Sequence, residues 1–408
     1  MTMPVCKLPA FARALGSRNY RLYFLGQLVS LAGTWMQQIA MIWLAYRLSG
    51  SAFVLGMIGF ASQIPILIFA SLGGVWTDRL DRRRLLLWTQ ALSMLQALLL
   101  AALAWQDLVS PGLLLVLAFF LGCINALDVP ARQAIAVQLL DDPDDLPNAI
   151  ALNSLLMNSA RFVGPALAGF VVAAVGEAVC FLLNAISYLA VLVALRAIRI
   201  VAVPGQPVPT GAALRQGYRY VLGHCQIRRS LLLVACVSFL ATPYAVLMPI
   251  FARQVFAGDA LTYGLLIGSA GVGSLLAALF LASRADTREL PHWICRAAPA
   301  VGISLFVFAL TPVPWLAFPV LVGLGFSVIL TVAGSNTLIQ TVVDEEYRGR
   351  VMALFSMAFL GVAPLGSLAL GSLAHACGIR RTLAACGALM LVAGAVYRHV
   401  TLRPGRAA

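Results

Sequence analysis

The sequence predicts an all-α membrane protein: twelve transmembrane helices in two pseudo-symmetric six-helix bundles. Three observations predict it. The first is composition. Of 408 residues, 61% are hydrophobic and 11% charged, and mean hydropathy is +0.93. A soluble domain carries about 25% charged residues. This chain has too few charges to cover a water-facing surface, so the bilayer must be the solvent for most of it. The second observation is the spacing of apolar runs, and the third is where the arginines fall between them.

A spanning helix needs about 20 mainly apolar residues. Runs of that length fall at 22–46, 52–76, 84–106, 112–137, 148–174, 178–198, 229–254, 261–283, 293–311, 314–337, 350–374 and 380–400. Met1 to Arg21 is basic, with no apolar core and no small-residue cleavage site, so it does not read as a secretory signal. Insertion is expected to rely on the run that begins near Leu22. Pro65, Pro130, Pro165, Pro243, Pro249, Pro319 and Pro364 lie within runs, where neighbouring helices re-satisfy the freed backbone groups. Gly268, Gly271 and Gly273 permit close helix contact.

With the N-terminus placed inside, 23 of the 28 basic residues fall on inside segments and four on outside ones (Arg47, Arg253, Arg380 and Arg381), while Arg161 falls within a span. Basic residues are retained on cytoplasmic loops, so this bias supports both the number of spans and cytoplasmic termini. The longest polar connection, 199–228, holds a Pro/Gly linker "VAVPGQPVPTG" and then a basic amphipathic stretch "AALRQGYRYVLGH". The latter is expected along the membrane surface. The linker divides the chain into 1–198, 199–228 and 229–408. The two halves are related: a gapless shift of 202 residues matches nine of 39 positions between 138–176 and 340–378, among them Gly164 with Gly366, Gly169 with Gly371 and Gly176 with Gly378. Parallel six-span repeats are a recognised plan for secondary transporters, with the substrate between them at mid-membrane.

Several function classes are excluded or disfavoured. The formal charge of +13 is explained by topology, and no nucleic-acid-binding motif accompanies it. The eight cysteines form no C-x-x-C, and the four histidines are scattered, so neither a metal site nor a redox site is expected. No G-x-x-x-x-G-K-[ST] is present, no H-E-x-x-H or G-x-S-x-G, and no polar loop long enough for an extramembrane catalytic domain. The reading is therefore not an enzyme, with no catalytic residue and no cofactor. An intramembrane lipid-modifying enzyme is the alternative from another class.

The stretch "GGVWTDRLDRRR" between spans two and three, taken with twelve spans, a central linker and a half-chain repeat, resembles the major facilitator superfamily. That family's signature is roughly G-x-x-x-D-R-x-G-R-[KR]. Here Gly74, Asp78, Arg79, Arg82 and Arg83 fill it, and Asp81 stands where glycine is usual. The form "DRxDRRR", with "ALDVPARQA" (126–134) and "DEEYRGRVMAL" (344–354), is similar to the enterobactin-exporter and macrolide-efflux branch. Span five carries "ARFVGPALAG", which resembles the antiporter pattern G-x-x-x-G-P-x-x-G-G. Gly164, Pro165 and Gly169 match it, and Ala160 and Ala168 stand where that pattern has glycine. The resemblance implies a transporter of the bacterial inner membrane that exports a drug-like or siderophore-like solute by alternating access, driven by protons. Import, or movement of a lipid or metal chelate, is the alternative within transport.

Candidate mechanistic residues follow. Asp78 either pairs with an arginine of span eleven, Arg348 or Arg350, as a latch between the halves, or caps the next helix. Arg82, Arg83 and Arg84 hold the loop inside. "LASRADTREL" in the second half, with Arg284, Asp286 and Arg288, reads as a decayed copy. Asp128 sits in span four with Arg132 one helical turn later. An intramembrane carboxylate is by default a functional candidate, so Asp128 is either a proton carrier or half of an ion pair. Arg161 in span five either holds an anionic group of the substrate or pairs with Asp128. Gln27, Thr34, Gln37, Gln38, Gln63, Ser335 and Asn336 are candidates for hydrogen bonds in a substrate cavity, Asn125 and Asn158 are further candidates for its lining, and Tyr244 is a candidate for its apolar surface. The expected partners are a bulky amphipathic small molecule and the lipid bilayer, without nucleic acid, and the chain is expected to be monomeric.

Overall fold

The computed structural model describes residues 10–79, 81–198, 211–284 and 287–402. For 70–79 and a few other positions, among them Ala134, Ala136, Val137, Pro143 and 211–214, the description covers the backbone alone. The described chain is nearly all helix, and twelve helices are long and apolar enough to cross a membrane.

In chain order these spans are Arg18–Ser49, Ala52–Arg79, Arg82–Trp105, Pro111–Gln138, Leu146–Val175, Glu177–Ala197, Cys225–Val255, Ala260–Ala282, Leu290–Leu310, Pro314–Val342, Arg348–Cys377 and Ile379–Leu402. They coincide with the twelve apolar runs and extend most of them by a few polar residues at the ends. A thirteenth helix, Gly211–Gly223, precedes span seven and occupies the basic amphipathic stretch. It packs on the start of span eleven, where the Tyr220 hydroxyl donates to Asp344 Oδ2 at 2.9 Å and the Tyr220 ring stacks on Tyr347 at 4.4 Å. Burial pushes the Tyr220 phenol above its ordinary value, so it stays a donor at neutral pH.

The first six spans and the last six pack by the same scheme. Span two lies on four, three on six and on four, and five on six. Span eight lies on ten, nine on twelve and on ten, and eleven on twelve. The repeat signalled by the 202-residue shift is visible in its glycines. Gly164 receives Trp35 of span one, and Gly366 receives the Phe239 and Pro243 region of span seven. Gly176 and Gly378 end spans five and eleven with φ of 88° and 85°, a conformation that L side chains rarely adopt.

Twelve crossings bring both ends of the chain to one side of the bundle. At the opposite, far end the two sets of six meet at two crossings. A methyl carbon placed on Gly56 of span two would come within 2.8 Å of Gly371 Cα in span eleven. One placed on Gly264 of span eight would come within 2.8 Å of Gly169 Cα in span five. Backbone touches backbone at both, as small residues allow. Because Gly169 and Gly371 are repeat partners, these crossings are one contact made twice.

Spans seven and eleven are kinked. Span seven holds π-turns at Val237–Ala241 and Phe251–Val255, and span eleven holds one at Met357–Gly361. Prolines explain the position of two of them: Pro243 and Pro364 follow these turns closely and cannot donate to the preceding turn. The two kinks touch, with the Ser238 hydroxyl donating to the Phe359 carbonyl. They form one wall of the space between the two sets of spans.

Candidate functional site

That space is a cavity of about 280 Å³, just below the range of about 300–1,000 Å³ usual for ligand pockets. Its lining draws on both sets of spans and includes Trp35 and Gln38 from span one, Gln63 from span two, Arg161 from span five, Tyr244 from span seven and Phe359 from span eleven. Helical geometry selects among neighbours. Gln37 and Gln38 are one residue apart and therefore face about 100° apart. Gln38 lines the cavity. Gln37 instead turns into the first six-span set, donating to Gln96 Oε1 at 2.8 Å and accepting from Asn184 Nδ2 at 2.7 Å, which ties span one to three and six.

Three hydroxyls on the lining are already engaged. Thr242 donates to the Ser238 carbonyl at 2.6 Å, Ser274 to Ala270 at 2.9 Å and Ser367 to Ala363 at 3.1 Å. Each bonds to its own helix four residues back, as Ser and Thr do in apolar surroundings.

Arg161 is the cation of the lining. Its guanidinium lies 5.3 Å from the centre of the Trp35 ring. Such a contact contributes about 0.5–2 kcal/mol. The desolvation penalty of a buried ion is several kcal/mol, so the ring alone does not offset it. Among the described residues no carboxylate lies within ion-pair distance of Arg161. Pairing with Asp128, one of the two options at the sequence level, is not formed.

Asp128 is engaged elsewhere. It is 2% exposed and pairs with Arg132, one turn later. Its other oxygen accepts from Thr89 Oγ1 at 2.7 Å and Gln90 Nε2 at 2.8 Å, both on span three. Arg132 donates in turn to Gln27 Oε1 at 3.3 Å on span one. This cluster joins spans one, three and four within the first set of six, apart from the cavity.

Of the residues expected in the cavity, Gln38, Gln63 and Tyr244 line it. Gln27 belongs to the Arg132 cluster. Thr34 donates to the Ser30 carbonyl at 2.9 Å, and Asn158 to Ser154 at 2.8 Å. Asn336 accepts from Gln340 on its own helix. Asn125 is half-buried in span four, and Ser335 is fully buried in span ten. None of these six is among the described lining residues. Each of the bonded side chains has a partner within reach of its own backbone position, which a span assignment alone does not reveal.

Gly74, Asp78 and Arg79 lie in the last turns of span two, where the description covers the backbone alone. Asp81 and Arg83 are described. Asp81 is the N-cap of span three: its Oδ1 accepts from the backbone N–H of Arg83 at 2.9 Å and Arg84 at 3.2 Å. The capping role considered for Asp78 is thus filled by Asp81. Arg83 reaches the C-terminal end of span six, donating through Nε to the Leu195 carbonyl at 2.6 Å and through Nη2 to the Arg196 carbonyl at 2.9 Å. It satisfies end carbonyls and complements their dipole. On span eleven, Arg348 and Arg350 pair with the adjacent Glu345 and Glu346 at 3.8 Å and 3.6 Å. In the decayed copy, Asp286 lies outside the described residues, and Arg284 pairs with Glu289 at 3.8 Å. Among the described residues no group of three or more His, Cys, Asp or Glu is placed to hold a metal ion.

Sequence reading missed the far-end ion pair in which Arg47 Nε meets Glu177 Oε1 at 3.0 Å, because its partners belong to different spans. The only signal was their shared position at the far ends of spans one and six.

Known proteins share this architecture. A family model described as "Transmembrane secretion effector" matches residues 10–408. The Staphyloferrin A transporter of Staphylococcus aureus is 26% identical, over 90% of this chain and 92% of that protein. The multidrug efflux pump Tap of Mycolicibacterium fortuitum is 26% identical, over 92% and 94%. Among solved structures, a bacterial homologue of the iron transporter ferroportin in its inward-facing state superposes with a TM-score of 0.73 at 17% identity, over 95% of this chain and 99% of that one.

Proposed function

The chain belongs to the transmembrane secretion effector family, within the major facilitator superfamily, and from that premise we propose that it exports an amphipathic small molecule by alternating access. It is a multi-pass membrane transporter of the efflux kind, not an enzyme. The finer reading rests on one observation: the cavity lies between the two sets of spans, and the glycine crossings of Gly56 with Gly371 and of Gly264 with Gly169 hold the halves together at the far end. The proposed halves are 1–198 and 229–408, joined by 199–228. With the termini in the cytoplasm of a bacterial inner membrane, this is the inward-facing state, ready to load from the cytoplasm. The relatives named for staphyloferrin and for drugs support a siderophore-like or drug-like substrate.

The state also bears on the latch. A pair between Asp78 and Arg348 or Arg350 would form when the termini end closes. Local pairing of both arginines with Glu345 and Glu346 is compatible with an open termini end. The energy source proposed is the proton gradient. Asp128 would carry the proton only if its bonds to Thr89, Gln90 and Arg132 opened during the cycle, and its burial favours a structural pair instead.

The test is flux from proteoliposomes under an imposed pH gradient, with siderophores, macrolides and lipids offered in turn. Gradient-dependent export of at least one supports the reading. Asp78→Asn should lower that flux while leaving the thermal unfolding profile unchanged. Accumulation in the uptake direction under every gradient tried would reverse the assignment to import.

A further inference from the structure

We infer that the cavity selects a singly anionic amphipath, an aromatic or alicyclic body bearing one carboxylate, sulfonate or phosphate-type group, with Arg161 holding the anion and Trp35 stacking beside it. The inference rests on the transport reading and narrows its substrate class.

Arg161 is permanently charged and lines the cavity without a carboxylate within ion-pair distance among the described residues. The one carboxylate in the interior of a span, Asp128, is consumed by Arg132, Thr89 and Gln90. The acids of Asp107, Glu177, Asp259 and Glu289 lie at span ends. The described cavity is therefore net positive by one. A cation entering it would meet uncompensated repulsion in a low-dielectric space, and a neutral solute would leave the guanidinium unpaired. An anion neutralises it.

The remaining donors agree. The hydroxyls of Thr242, Ser274 and Ser367 are spent on their own helices. Gln38, Gln63 and Tyr244 line the same cavity and make no such internal bond among the described residues. Two amides and a phenol, all able to donate, flank one guanidinium that binds carboxylate-like groups with two parallel hydrogen bonds. The rest of the lining is apolar and includes Val328, Ile329 and Phe359. Most of the surface it offers a solute beyond Arg161 and these donors is apolar.

The probes are naphthalenesulfonate, naphthalenesulfonamide and trimethylnaphthylammonium, of similar size and differing in charge. Binding to the purified full chain is read by ligand-dependent thermal stabilisation, and export by fluorescence from proteoliposomes. The sulfonate should bind best, and Arg161→Gln should weaken it about tenfold to a hundredfold, with Arg161→Lys intermediate. If Arg161→Gln does not fold, Gln63→Glu serves. It cancels the net positive charge of the cavity lining and should shift preference from the sulfonate toward the ammonium. Preference of the wild-type protein for the sulfonamide or ammonium, in binding or in flux, overturns the inference and leaves the transport reading standing. Tight, Arg161-dependent sulfonate binding with no flux of any probe supports the inference and counts against transport of this class.

Discussion

At the scale of single residues, Asp81 and Asp128 separate two uses of a carboxylate. Asp81 sits at a helix start and accepts two backbone N–H groups. Replacing such a cap by alanine costs about 0.5–2 kcal/mol. Asp81→Ala is expected to lower the thermal unfolding midpoint, and Asp81→Asn, also a good cap, to preserve it. Equal midpoints for all three would show that the cap contributes nothing. Asp128 is buried and charge-paired. Asp128→Asn keeps an acceptor for Thr89 and Gln90 but strips Arg132 of its counter-charge, a loss of about 3–5 kcal/mol for a buried pair. Adding Arg132→Gln is expected to recover most of it. If the single variant is as stable as wild type while its gradient-driven flux loses its pH dependence, Asp128 is a proton carrier after all. The pairing of Asp128 with Arg132 was legible in the sequence, because four residues make one helical turn. Thr89 and Gln90 were not, because they come from another helix. Nor was the role of Asp81: a cap depends on the single residue at which a helix begins, and apolar runs locate that only to within a few residues.

At the scale of elements, the far-end crossings carry the strongest consequence. Gly56 and Gly264 approach backbone, which cannot retreat as a side-chain tip can. Gly56→Leu or Gly264→Leu is expected to hold the far end apart. Spin labels on the far ends of spans two and eleven should then report a longer distance than in wild type. An unchanged distance would mean that the crossing tolerates side chains and does not set the closed state. The repeat that contains Gly169 and Gly371 was readable as a 202-residue shift. Their partners were not, since Gly56 and Gly264 lie outside the matched window and meet them only through packing. The kinks of spans seven and eleven were half readable. Pro243 and Pro364 announced a disturbance, but the meeting of the two π-turns through Ser238 and Phe359 depends on rotation about each helix axis.

At the scale of the whole molecule, the fold was almost entirely legible. A shortage of charge, twelve apolar runs and one-sided arginines each answer to the bilayer, which imposes length and polarity on every span. The site was legible only in outline. Arg161, Gln38, Gln63 and Tyr244 were nameable because polar groups within spans are few. Which of many candidates share one cavity depends on helix rotation, and that is set by packing between spans far apart in sequence. The central claim is that this one cavity is offered to the two sides of the membrane in turn. The most direct measurement is a pair of distance distributions in liposomes by double electron–electron resonance. One pair of labels sits at the far ends of spans five and eight, the other at their termini ends, with and without an exported solute. The account predicts reciprocal change: as the far-end distance lengthens, the termini-end distance shortens. Two distances that stay fixed, or that lengthen together, would contradict it.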